Sequence, residues 1–189
     1  MSAAPINLRR LGAEDASGYR EIRLEALADS PHAFSSTLES EQGQPLDRFA
    51  ARRADDFVLG AFSGPHLIGV AGFYVQAKPK HRHKGMLWGM YIRPSHRAAG
   101  IGRKLVEGII AHARQQVELL QLFVISDNLP ARRLYASLGF VEYGIERNAT
   151  KYHGEYHDDV LMALPLMVDS AAETRRAPTQ KISAEEVSA

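Results

Sequence analysis

The stretch from Arg93 to Arg114 places a proline, several cations and two glycines at the start of an amphipathic helix. Within it the pattern R-x-x-G-x-G begins at Arg97 and ends at Gly102. Glycines let backbone N–H groups turn toward a ligand, and a helix N-terminus adds unpaired N–H donors and partial positive charge. The pattern therefore predicts either a pyrophosphate site, with Arg97 or Arg103 pairing further oxygens, or a simple tight turn.

Two well-known phosphate loops do not fit this stretch. No Gly-Lys-Ser/Thr follows the glycines, so the stretch is not a Walker loop. The third glycine of the dinucleotide fingerprint is also missing, and Arg103 and Lys104 occupy its region. A bound anion is therefore predicted to be neither ATP nor NAD, and a different phosphate-bearing cofactor is needed.

A second motif lies downstream in "SDNLPARRLYASLGFVEYG", Ser126 to Gly144. With the first, it resembles the GNAT superfamily of N-acetyltransferases, in which R/Q-x-x-G-x-G/A after a long strand binds the pyrophosphate of acetyl-CoA. The family signature N-x-x-A-x-x-x-Y-x-x-x-G-F is matched by Asn128, Ala131, Tyr135, Gly139 and Phe140. The resemblance covers nearly the whole of the expected folded part.

This resemblance implies how the cofactor would be held. Acetyl-CoA would enter a gap between the long strand and the next strand, and would pair with the backbone of the long strand. The cofactor-binding residues carried over to this chain are Met90, Tyr91, Ile92, Arg97, Ala98, Ala99, Gly100, Ile101, Gly102, Arg103, Asn128, Ala131 and Tyr135.

Tyr135 is also the catalytic residue that the resemblance implies. Its phenol would be the general acid that protonates the sulfur of CoA. From the residues alone, an aromatic on the buried face of a short helix is the simpler interpretation. The family signature around it reverses that balance.

The chain departs from the family pattern at two positions. Several families carry a glutamate base on the long strand where this chain has Trp88, which cannot take a proton. Ala98 stands where glycine commonly follows the arginine, and alanine is tolerated there if its φ is negative. The acceptor could instead lose its proton through water or through His81, His83, Glu39 or Glu41.

Acceptor contacts are predicted in "SPHAFSSTLESEQ", Ser30 to Gln42, between the first two helices. Carboxylates in this loop would suit an ammonium group, although a solvated loop is the alternative for each residue. The candidates are Phe34, Ser35, Glu39 and Glu41, with Trp88 packing the base of the site.

Histidine pairs raise the question of a metal site. His81 and His83 form one pair, and His153 and His157 form another. Neither pair has a convincing third ligand, and acetyl transfer needs no metal, so no metal is predicted.

Hydrophobic periodicity supplies the elements that must position these residues. It predicts a strand, two helices, three strands, a helix, a strand, a helix and two strands, in that order. The fold class is α/β with layered α+β character. As the resemblance implies, a central, mixed, mostly antiparallel twisted sheet is flanked by about four helices. The apolar run "LLQLFVIS" predicts a strand that is covered on both faces.

Composition limits the domain organisation and the partners. The 189 residues predict one domain over residues 1–168 and a polar, mobile tail over residues 169–189. A net charge of +1 argues against nucleic acid and anionic membranes as partners. The chain has no cysteine, no apolar signal-peptide core and no run long enough to span a membrane, which predicts a cytoplasmic protein.

These observations and the resemblance together predict an acetyl-CoA-dependent N-acetyltransferase that acts on a primary amine of a small molecule or peptide. Without cysteine, the acetyl group is expected to pass directly to the amine. Within enzymes, a protein N-terminal or lysine acetyltransferase is the alternative. From another class, a non-catalytic acyl-CoA-binding or sensor module is the alternative, favoured by Trp88. Pairing as a homodimer stays open, as does the acceptor.

Overall fold

The structure is a computed structural model that describes residues 5–166, apart from the side chains of residues 51–55. The tail expected from residue 169 lies outside the described residues. Among residues 5–166, no helix combines the length and the hydropathy needed to cross a membrane. The strands and α-helices follow the predicted order, except that three helices rather than two precede β2. The additional helix, α2, lies between the two predicted ones, where the side chain of Thr37 caps its first turn. The elements are β1 Ile6–Arg10, α1 Ala16–Asp29, α2 Leu38–Gln42, α3 Leu46–Asp55, β2 Phe57–Ser63, β3 His66–Val75, β4 Lys84–Ile92, α4 Ile101–Ala113, β5 Leu119–Ile125, α5 Leu129–Ser137, β6 Val141–Tyr152 and β7 Glu155–Pro165.

The strands form one seven-stranded sheet in the order β1-β2-β3-β4-β5-β7-β6. Neighbouring strands are antiparallel, except that β4 and β5 run parallel and are connected through α4. This mixed, mostly antiparallel sheet with helices on it confirms the predicted fold class.

Two layers of helices cover the sheet, and each layer buries its own hydrophobic cluster. Helix α4 packs on β2, β3 and β4 through Leu105, Val106 and Ile109, none of which is exposed. On the other side, α1 packs on β3 and against α3. There Tyr19 and Ile22 of α1 enter the second cluster. The apolar residues of α1 recur at helical spacing, which is why this face of the helix is buried.

A bulge in β4 changes which residues face each layer. Val70 pairs with Tyr91 and Gly72 pairs with Trp88, so a single residue of β3 lies opposite Gly89 and Met90. Gly89 has a φ of +62°, which glycine adopts without steric cost. As a result Trp88 and Tyr91 both face α1, although they are three residues apart.

Strands β4 and β5 separate soon after they meet. Lys84–Met86 pair with Leu119–Gln121, and the remaining residues of β4 have no partner on β5. Strand β5 continues instead along β7, from Leu119 opposite Pro165 to Ile125 opposite Asp159. The separation leaves a wedge-shaped gap in the middle of the sheet.

Two strands also differ from the sequence expectation. Strand β5 was expected to be covered on both faces, but Phe123 is 52% exposed because it borders this gap. Strand β6 extends to Tyr152, beyond the predicted segment "FVEYGIER", since the long β6–β7 hairpin pairs as far as Tyr152 opposite Glu155. Cross-strand pairing lengthens β6 even though its residues there are polar.

Candidate active site

The gap between β4 and β5 forms a cleft of about 680 Å³ that is lined from both layers. Met90 and Leu134 line it from the α4 side, and Phe34 and Trp88 line it from the α1 side. The structure brings together these predicted cofactor residues: Met90, Tyr91, Ile92, Arg97, Ala98, Gly100, Ile101, Gly102, Arg103, Asn128, Ala131 and Tyr135. Ala99 is exposed in the same loop but is not part of the lining.

The loop before α4 presents backbone N–H groups at the rim of the cleft. The first i→i−4 bond of the helix runs from Lys104 N to Gly100 O, at 3.2 Å. The amides of Ile101, Gly102 and Arg103 precede that bond, so they have no intrahelical acceptor. Gly100, the N-cap, has a φ of +74°, which turns the chain into the helix. This arrangement can hold an anion.

The two glycines of the motif serve different purposes. A Cβ on Gly100 would meet nothing within 4 Å, so only its positive φ requires glycine. A Cβ on Gly102 would lie 2.9 Å from Met90 Cε and 3.2 Å from both Ile92 Cδ1 and Leu134 Cδ2. Gly102 therefore lets α4 approach β4 and α5 closely, and Gly100 sets the backbone turn.

A negative φ at Ala98 was the condition for tolerating alanine there, and the structure does not have one. Its φ is +63°, in the left-handed region that disfavours every residue with a Cβ. Alanine at this position therefore strains the loop. The strain explains why glycine would suit the position better than the residue this chain carries.

Arg97 points across the cleft rim and binds a residue of α1. Its Nη2 donates to Asp29 Oδ2 at 2.5 Å, and its Nε donates to Ile92 O at 3.0 Å. The guanidinium carbon also lies 5.5 Å from the ring centroid of Tyr91. The hydrogen bond from Arg97 lowers the pKa of Asp29 below its ordinary value. A phosphate at this loop would compete with Asp29 for Arg97.

Two other predicted cofactor residues hold α5 in place. Arg103 Nη2 donates to Ser137 Oγ at 2.7 Å, which ties the first turn of α4 to the last turn of α5. Asn128 Oδ1 accepts from Ala131 N at 3.2 Å and so caps the N-terminus of α5. Asn128 also lines the cleft, so the cap fixes where its side chain stands.

Tyr135 lies on the floor of the cleft and is 6% exposed. Its hydroxyl donates to Met90 Sδ at 3.3 Å, and its ring meets Phe140 edge-on with centroids 5.8 Å apart. Burial raises the pKa of Tyr135 above the ordinary tyrosine value. The phenol therefore keeps its proton at neutral pH, and sulfur is only a weak acceptor for it.

Tyr91 faces the other layer and has a different environment. Its hydroxyl donates to Glu25 Oε1 at 3.3 Å. Burial and then the charges of Glu25 and Asp29 raise the pKa of Tyr91 to about 12. Its side chain thus joins β4 to α1, while its backbone lies on the edge of β4 that has separated from β5.

Trp88 lines the cleft from the α1 side and lies flat over Gly72 of β3. A Cβ on Gly72 would come within 2.3 Å of Trp88 Cε2, so glycine makes room for the indole. Trp88 Nε1 is buried, and among the described residues it has no hydrogen-bond partner. The ring carbons of Trp88 therefore form an apolar wall where several families carry a glutamate.

The alternative bases named from the sequence lie outside the cleft lining. Glu41 is 5% exposed and forms an ion pair with Arg23, with Oε1 and Nη2 2.8 Å apart. Glu39 is exposed in the first turn of α2, where a hydrogen bond from its own amide lowers its pKa. His81 and His83 precede β4, whose first residue is Lys84, so they lie at the opposite end of that strand from Ile92.

The predicted acceptor residues are only partly brought together. Phe34 and Trp88 line the cleft, whereas Ser35 and Glu39 do not. Glu41 holds α2 to α1 through Arg23 and does not face an acceptor. Across the described residues, no group of three or more His, Asp or Glu side chains could hold a metal ion.

Two residues of the site were missed by sequence reasoning. Phe123 lay in an apolar run that gave no sign of an exposed position. Asp29 is separated by 68 residues from Arg97, its partner, so no local pattern could connect them. Alternation with the buried Leu122 and Val124 could have placed Phe123 on the α1 side, but only the separation of β4 from β5 exposes it.

Solved structures of N-acetyltransferases share this fold. The GNAT-family acetyltransferase from Streptococcus pneumoniae aligns with a TM-score of 0.77 at 21% identity, over 86% of this chain and 99% of that chain. A putative acetyltransferase from Salmonella typhimurium, solved with its cofactor acetyl-CoA, aligns with a TM-score of 0.73 at 23% identity, over 86% and 95%. The chain therefore has the same fold as these two structures.

The family model for the acetyltransferase (GNAT) family matches residues 20–140, and the chain belongs to that family. The mycothiol acetyltransferase of Thermobispora bispora is 29% identical to this chain over an alignment that covers 70% of this chain and 45% of that protein's length. The [ribosomal protein bS18]-alanine N-acetyltransferase of Escherichia coli K12 is 36% identical over 42% of this chain and 55% of its own. This chain thus spans about half the length of these relatives.

Proposed function

We propose that this protein transfers the acetyl group of acetyl-CoA directly to a primary amine of a small molecule or peptide. The observation that carries the proposal is the cleft between β4 and β5. It has the N–H groups of the α4 start at its rim and the phenol of Tyr135 on its floor. An anion site and a proton donor in one cleft suit a thioester that also carries phosphates.

The residues at the cleft fit acetyl-CoA in charge and in shape. The amides of Ile101, Gly102 and Arg103 would bind pyrophosphate oxygens, assisted by Arg97. The backbone of Met90–Ile92, which has separated from β5, would pair with the pantetheine arm as an added strand does. Acetyl-CoA supplies the activated acyl group, and the chain supplies position and a proton.

Tyr135 is assigned the role of general acid. In the transfer, the lone pair of the amine nitrogen forms a bond to the thioester carbon, and the C–S bond breaks with its electrons on sulfur. The sulfur takes the phenolic proton, and the nitrogen releases its extra proton to water, which reprotonates the phenol. The phenol carries its proton at neutral pH even at the ordinary tyrosine pKa of about 10, and burial raises the pKa of Tyr135 further.

Positioning accounts for most of the expected rate. When the protein holds the amine beside the thioester, the two react without the entropy cost of meeting in solution. In well-oriented systems this lowers the activation barrier by about 7–11 kcal/mol. With Trp88 at the position of the family's glutamate, we assign the removal of the amine proton to water. The chain has no cysteine, which fits direct transfer without an acetylated thiol.

One observation favours a second candidate function. Trp88 occupies the place of a base, so the protein could bind acyl-CoA as a sensor without turning it over. The buried hydroxyl of Tyr135 argues against this, because a sensor needs no proton donor on the floor of the cleft.

An assay of thiol release with acetyl-CoA and a panel of primary amines separates the two functions. The proposal expects amine-dependent release of CoA thiol together with binding of acetyl-CoA measured by calorimetry. Tight binding without amine-dependent release across small amines and peptide N-termini would support the sensor. Panels of both kinds are needed, since relatives are named for mycothiol and for a ribosomal protein alanine.

A further inference from the structure

The α1 side of the cleft is built from aromatic side chains. Phe34 and Trp88 pack against the cluster under α1, and Phe123 alternates with Leu122 and Val124, which belong to the opposite cluster. Phe34, Trp88 and Phe123 therefore line the cleft from one side, which we call the acceptor mouth. The amides of the α4 start and Tyr135 lie toward the other layer, where the cofactor is proposed to bind.

These rings keep apolar surface available to a ligand. Phe123 is 52% exposed, and Phe34 and Trp88 are partly exposed, although all three line a concave site. Apolar surface in a concave site gains free energy when a ligand removes it from water. The indole N–H of Trp88 is buried against β3, so the indole presents carbon rather than its donor to the cleft.

Carboxylates on the neighbouring helices are already paired with arginines. Glu41 binds Arg23 at 2.8 Å, and Asp29 binds Arg97 at 2.5 Å. Glu25, also on α1, accepts from Tyr91 and lies 3.1 Å from Arg93. Arg93 also pairs with Glu21, so these ion pairs neutralise much of the nearby negative charge but not all of it.

Within the described residues, the cleft lining contains no Asp or Glu, and its charged side chains are Arg97 and Arg103. Asp159 of β7 pairs with Ile125 of β5, so its side chain projects from the same face of the sheet as that lining residue, but Asp159 itself is outside the lining. A polyamine entering this cleft would lose water from its extra ammonium groups without gaining a carboxylate partner. An amine with one nitrogen and an apolar group has no extra ammonium group and would not bear this cost.

We infer that the preferred acceptor is a primary amine that carries an aromatic or large aliphatic group close to its nitrogen and has no second cationic group. The rings of the acceptor mouth bind the apolar group and attract the single ammonium through their faces until it loses its proton. This inference rests on the proposed function. The same chemistry is presented by a free arylalkylamine and by a peptide that begins with an aromatic residue.

The test compares acceptors in the thiol-release assay with the full chain and saturating acetyl-CoA. The amines are 2-phenylethylamine, ethylamine and putrescine, and the peptides are tetrapeptides that begin with Phe or with Lys. We expect kcat/KM for the aromatic acceptor to exceed that for ethylamine and putrescine by about tenfold or more. Whichever of 2-phenylethylamine and the Phe-initiated tetrapeptide has the higher kcat/KM shows whether the acceptor is a free amine or a peptide.

Variants locate the effect in the acceptor mouth. Phe123→Ala, at a half-exposed position that a folded chain tolerates, should lower kcat/KM for 2-phenylethylamine about tenfold and that for ethylamine less than threefold. Tyr156→Ala is the matched control, since Tyr156 is 60% exposed on β7 and lies outside the lining. Asp159→Asn should leave the aromatic preference unchanged.

The failures can be told apart. Equal or better turnover of putrescine would overturn the inference and leave the acetyltransferase function standing. A loss of the aromatic preference in Asp159→Asn would overturn it too, since a carboxylate would then hold the amine. Binding of acetyl-CoA without turnover of any amine would overturn the proposed function, and the inference with it.

Discussion

The hydroxyl of Tyr135 donates to Sδ of Met90 across 3.3 Å, and this contact joins α5 to the bulged part of β4 across the floor of the cleft. Thioether sulfur accepts hydrogen bonds weakly, so the phenol can exchange this partner for a stronger acceptor at little cost. A thiolate formed in the cleft would be such an acceptor. The contact thus holds the phenol in place and leaves its proton available to a stronger acceptor.

Replacing Tyr135 with phenylalanine tests this role. We expect turnover to fall about 10²-fold or more, because proton donation to the leaving group typically contributes 10²–10⁴-fold. The affinity for acetyl-CoA should change less than twofold, since the hydroxyl donates to Met90 Sδ within the protein. Steady-state kinetics and calorimetry measure the two quantities. Unchanged turnover with the best acceptor would show that another group or water protonates the sulfur.

The strain at Ala98 predicts a stabilising substitution. Ala98→Gly removes a Cβ from a residue at φ +63° and should raise the free energy of unfolding by about 0.5–1 kcal/mol. Ala99→Gly is the matched control, because Ala99 is exposed in the same loop and is not among the residues with positive φ. Chemical denaturation compares them. A loss of stability in both variants would mean that strain at Ala98 is not significant.

Replacing Gly100 with alanine should destabilise the protein, in contrast to the replacement of Ala98 with glycine. Gly100→Ala places a Cβ at φ +74° in open space, so it should cost about 1–2 kcal/mol of stability through the backbone alone. It should also weaken acetyl-CoA binding, because the α4 start would lose its geometry. Gly43→Ala provides the comparison, since Gly43 has equal space and a φ of −82°. If both variants bind acetyl-CoA as the wild type does, the α4 loop does not hold the cofactor.

The Arg97–Asp29 ion pair predicts a dependence on pH. The pKa of Asp29 is lowered in the folded state, so the pair stabilises the protein above the unfolded-state pKa of aspartate. This stabilisation is lost as pH falls through the folded-state pKa. Wild type should therefore exceed Asp29→Asn in stability at neutral pH by a modest amount, about 0.5 kcal/mol, and the difference should vanish in acid.

The same ion pair predicts competition with the cofactor. Asp29→Asn frees Arg97 for phosphate and should raise acetyl-CoA affinity about two- to fivefold, which is the range a partly exposed ion pair supports. Arg97→Ala should lower it. In the double variant, Asp29→Asn should no longer have an effect. An equal gain in affinity with Arg97 absent would place the effect of Asp29 elsewhere.

The sequence could predict which motif residues lie together, because that depends on local spacing, while their functional roles stay predictions. The glycine loop and the signature around Tyr135 each lie within a short segment, so their residues meet through the geometry of one helix start or one short helix. The order of the elements was predictable for the same reason, since periodicity reports which face of each element is buried.

The sequence could not predict features that depend on contacts between distant segments of the chain. The φ of Ala98 depends on how the loop joins β4 to α4, and nothing in its neighbours reports the sign. Glu41 was expected to meet an acceptor, but Arg23 of α1 binds it instead. Phe123 is exposed because β4 turns away from β5, which is a property of the whole sheet.

A rapid-quench experiment with isotopically labelled acetyl-CoA distinguishes direct acetyl transfer from transfer through an acetylated protein. Protein and labelled acetyl-CoA are mixed with 2-phenylethylamine, and the label is followed by mass spectrometry in a single turnover. Direct transfer requires that label leaves CoA and appears in the N-acetylated amine at the same rate, with none on the protein. Label on the protein before the amide forms, or label that stays on CoA with every amine in the panel, would contradict it.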